Sequence, residues 1–454
     1  MGVALLLGVS TTTTSHVTPP TEWDLFHELL PSRLLDDLDP KAAQAIYTPW
    51  VVTWLLVYQR LHGNASLADA VAEFTLRFPQ QSLSQHRRIR EHTLSANTGA
   101  YSQARTNLDR GVLYRACDGI FDSLVDSYPP SWRGRRAFVL DGTTVQLAPS
   151  PALQAAFPPA SNQHGRSHWP ILHLAVAHEL ASGLAPHPEF GPMYGPEAVS
   201  ELTLSRRLLA RLPERSILVA DRNFGVFAFA WAALAAKHDV LVRLAQGRFE
   251  ALRRQARRVR KGKWKVTWRP SVWDRKAHPE LPEGAVVSGW LHEVKVSEGL
   301  TLWLFTTLSA SGQALARLYH RRQDVETDIR DLKERLLLGE MTSRSVEMVE
   351  KELLAGLVTY NLANQVRRVA AARLKLEPRR LSFAGVWSLM KAFMGNLLEG
   401  KSQAEAEAQF ERLLKAAGQR KLPNRKEQRS YPREVIPRRS KFPARKRSRE
   451  PVPQ

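Results

Sequence analysis

Three acidic residues in this 454-residue chain stand in contexts that suit metal-dependent chemistry. Asp141 and Asp221 follow short apolar runs that predict strands, in FVLDGTT and ILVADRNF, and Glu326 lies in the helical pattern LYHRRQDVETDIRDLK. Magnesium prefers carboxylate oxygens and water as ligands. Two such ions held by three acids can activate an attacking oxygen and stabilise the leaving one, so these residues suggest phosphoryl transfer.

The context of Glu326 is the most specific, because three further residues lie at helical spacing from it. Tyr319 and Arg322 precede Glu326 by 7 and 4 residues, and Lys333 follows it by 7. At about 100° per residue, all four fall on one helical stripe roughly 60° wide. The acid can hold a cation while the other side chains bind phosphates. An ordinary surface helix with opposite charges at i,i+4 spacing is the alternative for this stretch.

The same predicted helix carries an apolar stripe rotated about 90° from the polar one. Its members are Leu318, Val325, Ile329, Leu332 and Leu336. We expect this stripe to pack on a core and to place the polar stripe at the border of the buried region.

The two aspartates also have ordinary structural explanations. Asp141 and Gly142 form an Asp-Gly pair between two β-rich runs, and such pairs are common in hairpin turns. Asp221 stands between the predicted strand Ile217 to Ala220 and an apolar helix, where it would serve as an N-cap. Acids at the ends of two strands and on one amphipathic helix nevertheless form a workable geometry for two cations.

With these residues, the chain resembles the DDE transposases of bacterial insertion sequences, in the IS-four group that carries a Tyr-Arg-Glu-Lys signature. FVLDGTTV resembles the strand with the first Asp, and LVADRNFG resembles the strand with the second. The signature spacing is matched position by position, and the resemblance covers roughly residues 90 to 370. Family members often have Trp directly after the signature arginine, where this chain has Gln323.

The resemblance implies an α/β fold: an RNase H-like catalytic core with a β-rich insertion, preceded by a helical N-terminal module and followed by helices and a basic tail. It implies that Asp141, Asp221 and Glu326 are catalytic and bind two Mg²⁺ or Mn²⁺ ions. The activity implied is that of a DNA transposase, which cuts insertion-sequence ends and joins them to target DNA.

The implied partners are double-stranded DNA, as transposon ends and target, and a second copy of the chain in a synaptic homodimer. Tyr319, Arg322 and Lys333 would contact the DNA. Members of the group resemble enzymes that nick one strand and seal the transposon end as a hairpin. Two alternatives remain from other classes: an RNase H-like nuclease without strand transfer, and a catalytically silent DNA-binding descendant.

Trp303 is the candidate for a DNA contact specific to a hairpin. A hairpin strains the terminal bases, so a flipped base would need an aromatic platform near the acids. Trp303 lies in LTLWLFTTL, the last predicted strand before the signature helix. A core tryptophan is the alternative, because Leu302, Leu304 and Phe305 occupy both parities of that strand and suggest burial on both faces.

The resemblance, together with composition and periodicity, implies how the chain is divided. The predicted segments are a tail at 1–20, a helical DNA-binding module at 21–130, the first part of the catalytic core at 131–245, a β-rich insertion at 246–310, the completed core at 311–370, C-terminal helices at 371–415 and a basic disordered tail at 416–454. The insertion is supported by KWKVTW, AVVSGWLHEVKV and LTLWLFTTL, which are typical of strands. In the helical module, Tyr101 and Arg105 are among the polar groups that could contact DNA.

Charge agrees with a DNA partner without identifying it. The formal net charge is +21 and the isoelectric point is about 10.4, a balance that favours a polyanion. Positive charge concentrates in Arg248 to Lys265 and from Arg420 onward. Each stretch could equally be a solvated surface.

The remaining signals favour a cytoplasmic protein. The one cysteine, Cys117, excludes an intramolecular disulfide and is most simply a buried small hydrophobe. The first residues lack the features of a signal peptide, and no run is long enough to span a bilayer. Five histidines fall within 24 residues, but their spacing favours structural roles over a metal site. They are His164, His168, His173, His178 and His187.

Overall fold

The structure, a computed structural model, describes residues 29, 45–77, 86–162, 165–298, 300–336, 338, 341–397 and 402–423. The predicted N-terminal tail, most of the first part of the predicted helical module up to residue 44, and the predicted basic tail from residue 424 onward lie outside the described residues. The chain divides into a unit of residues 1–421 and a unit of residues 422–454. All elements described below belong to the first unit.

Helices precede, flank and follow a central sheet. The helices are α1 (Pro49–Leu61), α2 (Leu67–Arg77), α3 (Arg87–Arg90), α4 (Gly99–Asn107), α5 (Arg110–Asp126), α6 (Pro151–Ala156), α7 (Glu201–Leu208), α8 (Phe227–Ala235), α9 (Gln246–Arg254), α10 (Val272–Ala277), α11 (Gly312–His320), α12 (Gln323–Arg335), α13 (Val346–Arg373), α14 (Phe383–Leu397) and α15 (Gln403–Gly418). In the described part of the chain, no helix is both long and apolar enough to cross a bilayer.

The strands form one large sheet and one short pair. They are β1 (Ala137–Gln146), β2 (Ser161–Asn162), β3 (Gly165–Arg166), β4 (Ile171–Glu179), β5 (Glu189–Pro192), β6 (Ile217–Ala220), β7 (Asp239–Arg243), β8 (Arg257–Arg260), β9 (Lys263–Trp268), β10 (Val287–Ser297) and β11 (Leu300–Thr306). The nine-stranded sheet has the order β5-β4-β1-β6-β7-β11-β10-β9-β8. Strands β1, β6 and β7 are parallel to one another, and the other neighbours pair antiparallel.

Strand β1 corrects the prediction of two β runs separated at Asp141-Gly142. The strand is continuous from Ala137 to Gln146, and Asp141 pairs with Val176 of β4 in the middle of an unbroken antiparallel ladder. The long pairing with β4 keeps the backbone extended through the Asp-Gly pair, so no turn forms there. Strand β6, by contrast, spans the four residues predicted from its apolar run.

The β-rich insertion continues the central sheet. Strand β11 pairs antiparallel with β7, and β10, β9 and β8 follow outward. The three runs predicted as strands correspond to β9, β10 and β11. Part of the predicted basic stretch forms the edge strand β8, and all four residues of β8 are exposed. Exposed charge on an edge strand discourages pairing with another sheet and leaves the cations accessible.

The helix predicted around the signature is two helices. Helix α11 ends at His320 and α12 begins at Gln323. Arg321 and Arg322 form a tight turn, in which the Arg322 amide donates to the Tyr319 carbonyl and the Asp324 amide to the Arg321 carbonyl. The Arg321 guanidinium also donates to the Leu180 carbonyl at 3.3 Å, which fixes the turn against the loop after β4.

The apolar stripe of the signature region is buried as predicted. Its members with described side chains are Leu318, Ile329, Leu332 and Leu336, and all of them belong to the core. The segment 371–415, predicted as C-terminal helices, contains α14 and α15, and α15 begins at a capping box formed by Ser402 and Glu405.

Helix α13 holds the N-terminal helices against the rest of the unit through buried polar contacts. Arg105 of α4 donates to Glu352 at 3.1 Å, and Arg110 of α5 donates to Glu350 at 2.6 Å. The Lys351 ammonium is fully buried and donates to the Arg105 and Thr106 carbonyls. Cys117 is buried as predicted.

Tyr101 and Arg105 were predicted among the polar groups available to DNA, and the structure corrects this. The Tyr101 hydroxyl is buried and donates to Gln59 at 2.7 Å. Arg105 is largely buried against Glu352. Arg105 is used in packing because Glu352 of α13 needs a cationic partner once it is removed from water, and the buried Tyr101 hydroxyl needs the Gln59 partner for the same reason.

Candidate active site

The central sheet places the two aspartates side by side. Strands β1 and β6 are parallel neighbours, and Val139 of β1 lies opposite Val219 of β6. Asp141 and Asp221 each come two residues after this pair. Neighbouring strands lie about 4.8 Å apart. The Asp221 side chain also accepts a hydrogen bond from the Asn223 amide at 2.7 Å and caps the short 3₁₀ helix Arg222–Phe224. The N-cap alternative is therefore also correct, for this 3₁₀ helix rather than for α8.

Arg322 lies between two of the predicted acids. Its guanidinium donates to Glu326 at 3.0 Å and approaches Asp141 at 4.0 Å. The Glu326 side chain is 58% exposed, while Asp141 is 26% exposed. The turn between α11 and α12 leaves Arg322 as the N-cap residue of α12, so the i,i+4 contact to Glu326 survives the break in the predicted helix.

Asp141 is electrostatically coupled to both other acids. Burial raises the pKa of Asp141, and the negative charges of Asp221 and Glu326 raise it further. The Gly142 amide and the Arg322 guanidinium lower the pKa but do not cancel the rise. The structure therefore places Asp141 within electrostatic range of both Asp221 and Glu326.

Tyr319 belongs to the same group but is not on an open polar stripe as predicted. Only 8% of the residue is exposed, and burial raises the pKa of its hydroxyl. The charges of Arg322, Arg243 and Asp221 act on that hydroxyl, and Arg322 also donates a hydrogen bond to it. The break before α12 turns Tyr319 inward, where the hydroxyl can hold the Arg322 guanidinium in place.

Lys333 lies apart from these residues. It is two helical turns from Glu326, about 10 Å along the axis of α12. The side chain is partly buried, and this burial lowers the pKa of the ammonium. Its contact with DNA stays a prediction.

Trp303 lies inside the sheet. It is partly buried, packs against the hydrophobic core, and pairs with Glu293 of β10. The next residue, Leu304, is the partner of Arg243 on β7. Because successive strand residues point to opposite faces, Trp303 points away from the face that carries Arg243. Its role as a base platform stays a prediction.

Glu201 is a fourth carboxylate at the site that the sequence did not reveal. Burial raises its pKa to about 7, and the nearby charges of Asp141 and Asp221 contribute to the rise. The carboxyl group lies within hydrogen-bonding reach of Asp141 and over Gly142. Glu201 follows Ser200 in the first turn of α7, which is where an ordinary acid stabilises a helix dipole, so its sequence context gave no sign of the site.

Arg243 was also missed. It ends β7 beside the position of Asp221, and its Nε is buried without a hydrogen-bond partner within the described residues. An unpaired buried guanidinium nitrogen is costly. The local sequence LVRLAQ gives no sign that Arg243 lies beside the acids.

The carboxylates of Asp141, Asp221 and Glu326 are suitable ligands for a hard divalent cation, but their side chains do not point to one common position. Across the described ranges, no three acidic, histidine or cysteine side chains are close enough to hold a metal ion. Arg322 stands between Asp141 and Glu326 and supplies positive charge there. Carboxylate oxygens are the ligands that Mg²⁺ and Mn²⁺ prefer.

The described histidines of the predicted cluster bind separate partners. His173 bonds to the Val199 carbonyl, His178 to the Gly183 carbonyl and His187 to Asp118. His168 lies edge-on against Trp169. His164 lies outside the described residues. These contacts agree with the structural roles predicted for them.

Comparison with known proteins identifies relatives of this chain. Residues 132–362 match the family described as the transposase DDE domain, a range that contains all three acids and the whole signature. The chain is also 28% identical over 324 residues to the transposase InsG for insertion sequence element IS4 of Escherichia coli (strain K12). That alignment covers 69% of this chain and 70% of the relative.

Proposed function

This chain belongs to the DDE transposases, of the IS4 type, and from that premise we propose that Asp141, Asp221 and Glu326 are its catalytic residues and ligands for two Mg²⁺ or Mn²⁺ ions. The observation that carries the proposal is the electrostatic coupling of Asp141 to both other acids at one edge of the sheet. When bound, the ions would activate the attacking oxygen and stabilise the leaving oxygen of a phosphodiester.

The order of strands supports an RNase H-like core. Strands β1, β4 and β5 form an antiparallel meander, and β6 and β7 add in parallel on the other side of β1. Such a sheet places the middle of β1, at Asp141, beside the end of β6, before Asp221, which is the arrangement that two catalytic aspartates need. Helix α12 then contributes the glutamate from outside the sheet.

Arg322 has a second task in this proposal. Without DNA, its guanidinium neutralises Asp141 and Glu326. A phosphate offers the guanidinium a bidentate partner of at least equal strength, so DNA binding would draw Arg322 off the acids. The Tyr319 hydroxyl, hydrogen-bonded to Arg322, would limit how far the side chain moves. Lys333 would contact a phosphate further along the strand.

We further propose that the two strands at each end are cut through a hairpin, with Trp303 as the residue that stacks a flipped base. Support for Trp303 is its place in β11, two strands from β6 in the sheet. Its orientation away from Arg243 favours the packing alternative. Trp303→Ala should slow hairpin formation more than nicking, and equal slowing of both steps with a lower melting temperature would identify a packing residue.

The proposed DNA-binding surfaces are the helical module of residues 21–130 and the basic residues of the insertion. The exposed arginines of β8 form an edge from which cations can reach phosphates. Cutting two ends together requires two copies of the chain, so the synaptic complex would be a homodimer. We propose that the catalytic core spans residues 131–245 and 311–370, with the β-rich insertion at 246–310 between its two parts.

The experiment uses purified full-length protein and DNA carrying the inverted repeats that flank its coding region. Cleavage at the ends only with Mg²⁺ or Mn²⁺, followed by strand transfer into a target, is the expected result. Asp141→Asn and Asp221→Asn should abolish cleavage but still bind ends. Cleavage without strand transfer would identify a nuclease, and binding without cleavage would identify a silent descendant. Metal-dependent cleavage by Asp221→Asn would remove Asp221 from the site.

A further inference from the structure

We propose that one face of the hairpin formed by β8 and β9 binds the phosphate backbone of target DNA without reading its sequence. The surface, which we call the cationic face, consists of Arg257, Arg260, Lys263 and Lys265. This inference rests on the proposed function. It goes further by assigning these residues to the target rather than to the transposon ends.

The pairing of β8 with β9 places like charges opposite one another. Arg257 is the partner of Lys265, and Arg260 is the partner of Lys263. Directly opposite residues of an antiparallel pair share a face of the sheet, and like charges at such positions are destabilising. Burial and the charge of Arg260 lower the pKa of the Lys263 ammonium. The hairpin thus contains two repulsive pairs, and a bound polyanion would offset their repulsion.

The charge of the cationic face is not neutralised within the protein. The preceding helix α9 pairs Arg253 with Glu250, but in the described part of the chain no acid forms an ion pair with a member of the cationic face. Lys263 donates to the Ala310 carbonyl at 3.4 Å and lies 4.1 Å from the ring centroid of Trp290. The other three members are exposed. Their positive charge is therefore accessible to phosphates.

A row of cross-strand partners connects the cationic face with the proposed catalytic site on one side of the sheet. The row consists of Lys263, His292, Leu304 and Arg243. Arg243 ends β7 beside the position of Asp221. Four strand spacings separate β8 from β7, about 19 Å. Because a duplex advances about 3.4 Å per base pair, DNA with a phosphate at the acids needs about six base pairs to reach the cationic face.

The chemistry of the cationic face favours the target over the ends. Contacts to phosphates hold a duplex in place but carry no sequence information. The ends of an insertion sequence must be distinguished from other DNA by contacts to base edges, whereas a target only has to be held near the catalytic site. Four cations on one face are therefore suited to the target.

Binding of a duplex without inverted repeats to the full-length protein tests the inference, measured by fluorescence anisotropy at several salt concentrations. The variant Arg257→Gln with Lys265→Gln removes one repulsive pair. At low salt it should bind this duplex about tenfold more weakly, and the slope of log affinity against log salt should decrease by about two. The control Arg412→Gln with Lys415→Gln removes the same charges from exposed positions of α15 and should bind like the parent.

Thermal melts without DNA measure the repulsion itself. At low salt the variant should melt about 1 °C above the parent, because one like-charge pair is lost. The difference should disappear at high salt, which screens exposed charges. A variant that melts below the parent at low salt would overturn the inference, because the cationic face would then stabilise the free protein.

Strand transfer distinguishes the target from the ends. With pre-cut ends and increasing target concentration, the variant should need about tenfold more target for half-maximal rate, and its affinity for a duplex with the inverted repeat should decrease less. Parent-like affinity for the duplex without repeats, or an equal loss for both duplexes, would overturn the inference and leave the proposed function intact. Failure of the proposed function is recognised separately, because the parent would then show no metal-dependent end cleavage.

Discussion

Two acids on helix α12, only two residues apart, have opposite surroundings. Glu326 is 58% exposed and contacts the partly exposed guanidinium of Arg322. Asp328 is 2% exposed and receives two hydrogen bonds from Arg379, at 2.8 and 2.5 Å. Two positions along a helix differ by about 200° in direction, so one acid faces the site and the other faces the interior. The same helix is thus anchored on one side and chemically available on the other.

The anchor joins α12 to the loop that follows β4. Arg379 also donates to the Leu180 carbonyl at 2.8 Å, the same oxygen that Arg321 reaches. Gly183, in the left-handed region with φ of +79°, lies against this cluster, where an added Cβ would be 2.8 Å from the Arg367 guanidinium and 3.6 Å from Asp328. The position of Glu326 is therefore set by contacts on the far side of its own helix.

The pKa values of the anchoring and catalytic acids move in opposite directions. Burial acts to raise the pKa of Asp328, but Arg379 lowers it below its usual value. Burial also raises the pKa of Asp141, and there the single approach of Arg322 does not reverse the effect. The negative charge of a structural acid such as Asp328 is stabilised by fixed hydrogen-bond partners. An acid at the proposed site, such as Asp141, has fewer such partners, so a metal ion can neutralise its charge.

Glu326→Gln should have the largest effect on activity. Loss of one carboxylate charge at the metals should reduce end cleavage at least about a thousandfold, several kcal/mol in the transition state. Because Glu326 is exposed, the melting temperature should remain close to that of the parent. Cleavage assays and thermal melts measure the two effects, with Glu334→Gln, an exposed acid of the same helix, as the control. Parent-like cleavage by Glu326→Gln would show that Glu326 is not a catalytic metal ligand.

Asp328→Ala should have the largest effect on stability. Removal of one partner from a buried ion pair leaves Arg379 without its buried carboxylate partner and costs about 3–5 kcal/mol. Urea and thermal unfolding measure the loss. The double variant Asp328→Leu with Arg379→Met should recover much of it, because no buried charge is left at that pair. If Asp328→Ala were as stable as the parent, the anchor would not hold the helix.

Arg322→Lys should have an intermediate effect on cleavage. A lysine keeps the charge but loses the fork that can bind a phosphate with two hydrogen bonds, so rescue relative to Arg322→Ala should be poor. We expect a reduction of cleavage on the order of tenfold or more, from one charge-assisted hydrogen bond of about 1.5–3 kcal/mol. Full activity in Arg322→Lys would show that only charge matters at this position.

Asp331→Asn should have the smallest effect, visible as a change in pH dependence. Burial raises the pKa of Asp331 to about 6, and Asp328 adds to the rise. The protonated form is therefore favoured by folding, so the stability that this group contributes is present below its ordinary pKa and is lost as pH rises through about 6. The variant should gain stability relative to the parent as pH increases from 4 to 7, measured by thermal melts. A difference that does not vary with pH would contradict this.

Local patterns in the sequence predicted much of this molecule. The apolar run Ile217 to Ala220, the stripe of Leu318 and Ile329 and the periodic helices appear as predicted, because each depends mainly on the residues within it. The predicted contact between Arg322 and Glu326 is also present, although the predicted helix is divided into two. Residues four positions apart on one helix are neighbours on its surface, and both residues lie on the same side of the break.

Other features were decided by contacts between segments far apart in the chain. Gly142 lies mid-strand because β4 pairs along the whole of β1, and the signature region bends because Arg321 reaches Leu180 across the fold. Glu201 joins the site only when α7 packs on the sheet. The types and local spacing of the residues proposed as catalytic were thus determined by the sequence itself. Their common location and the acid beside them were decided by the tertiary structure, because hydrogen-bond pairing and burial act between residues that no local pattern connects.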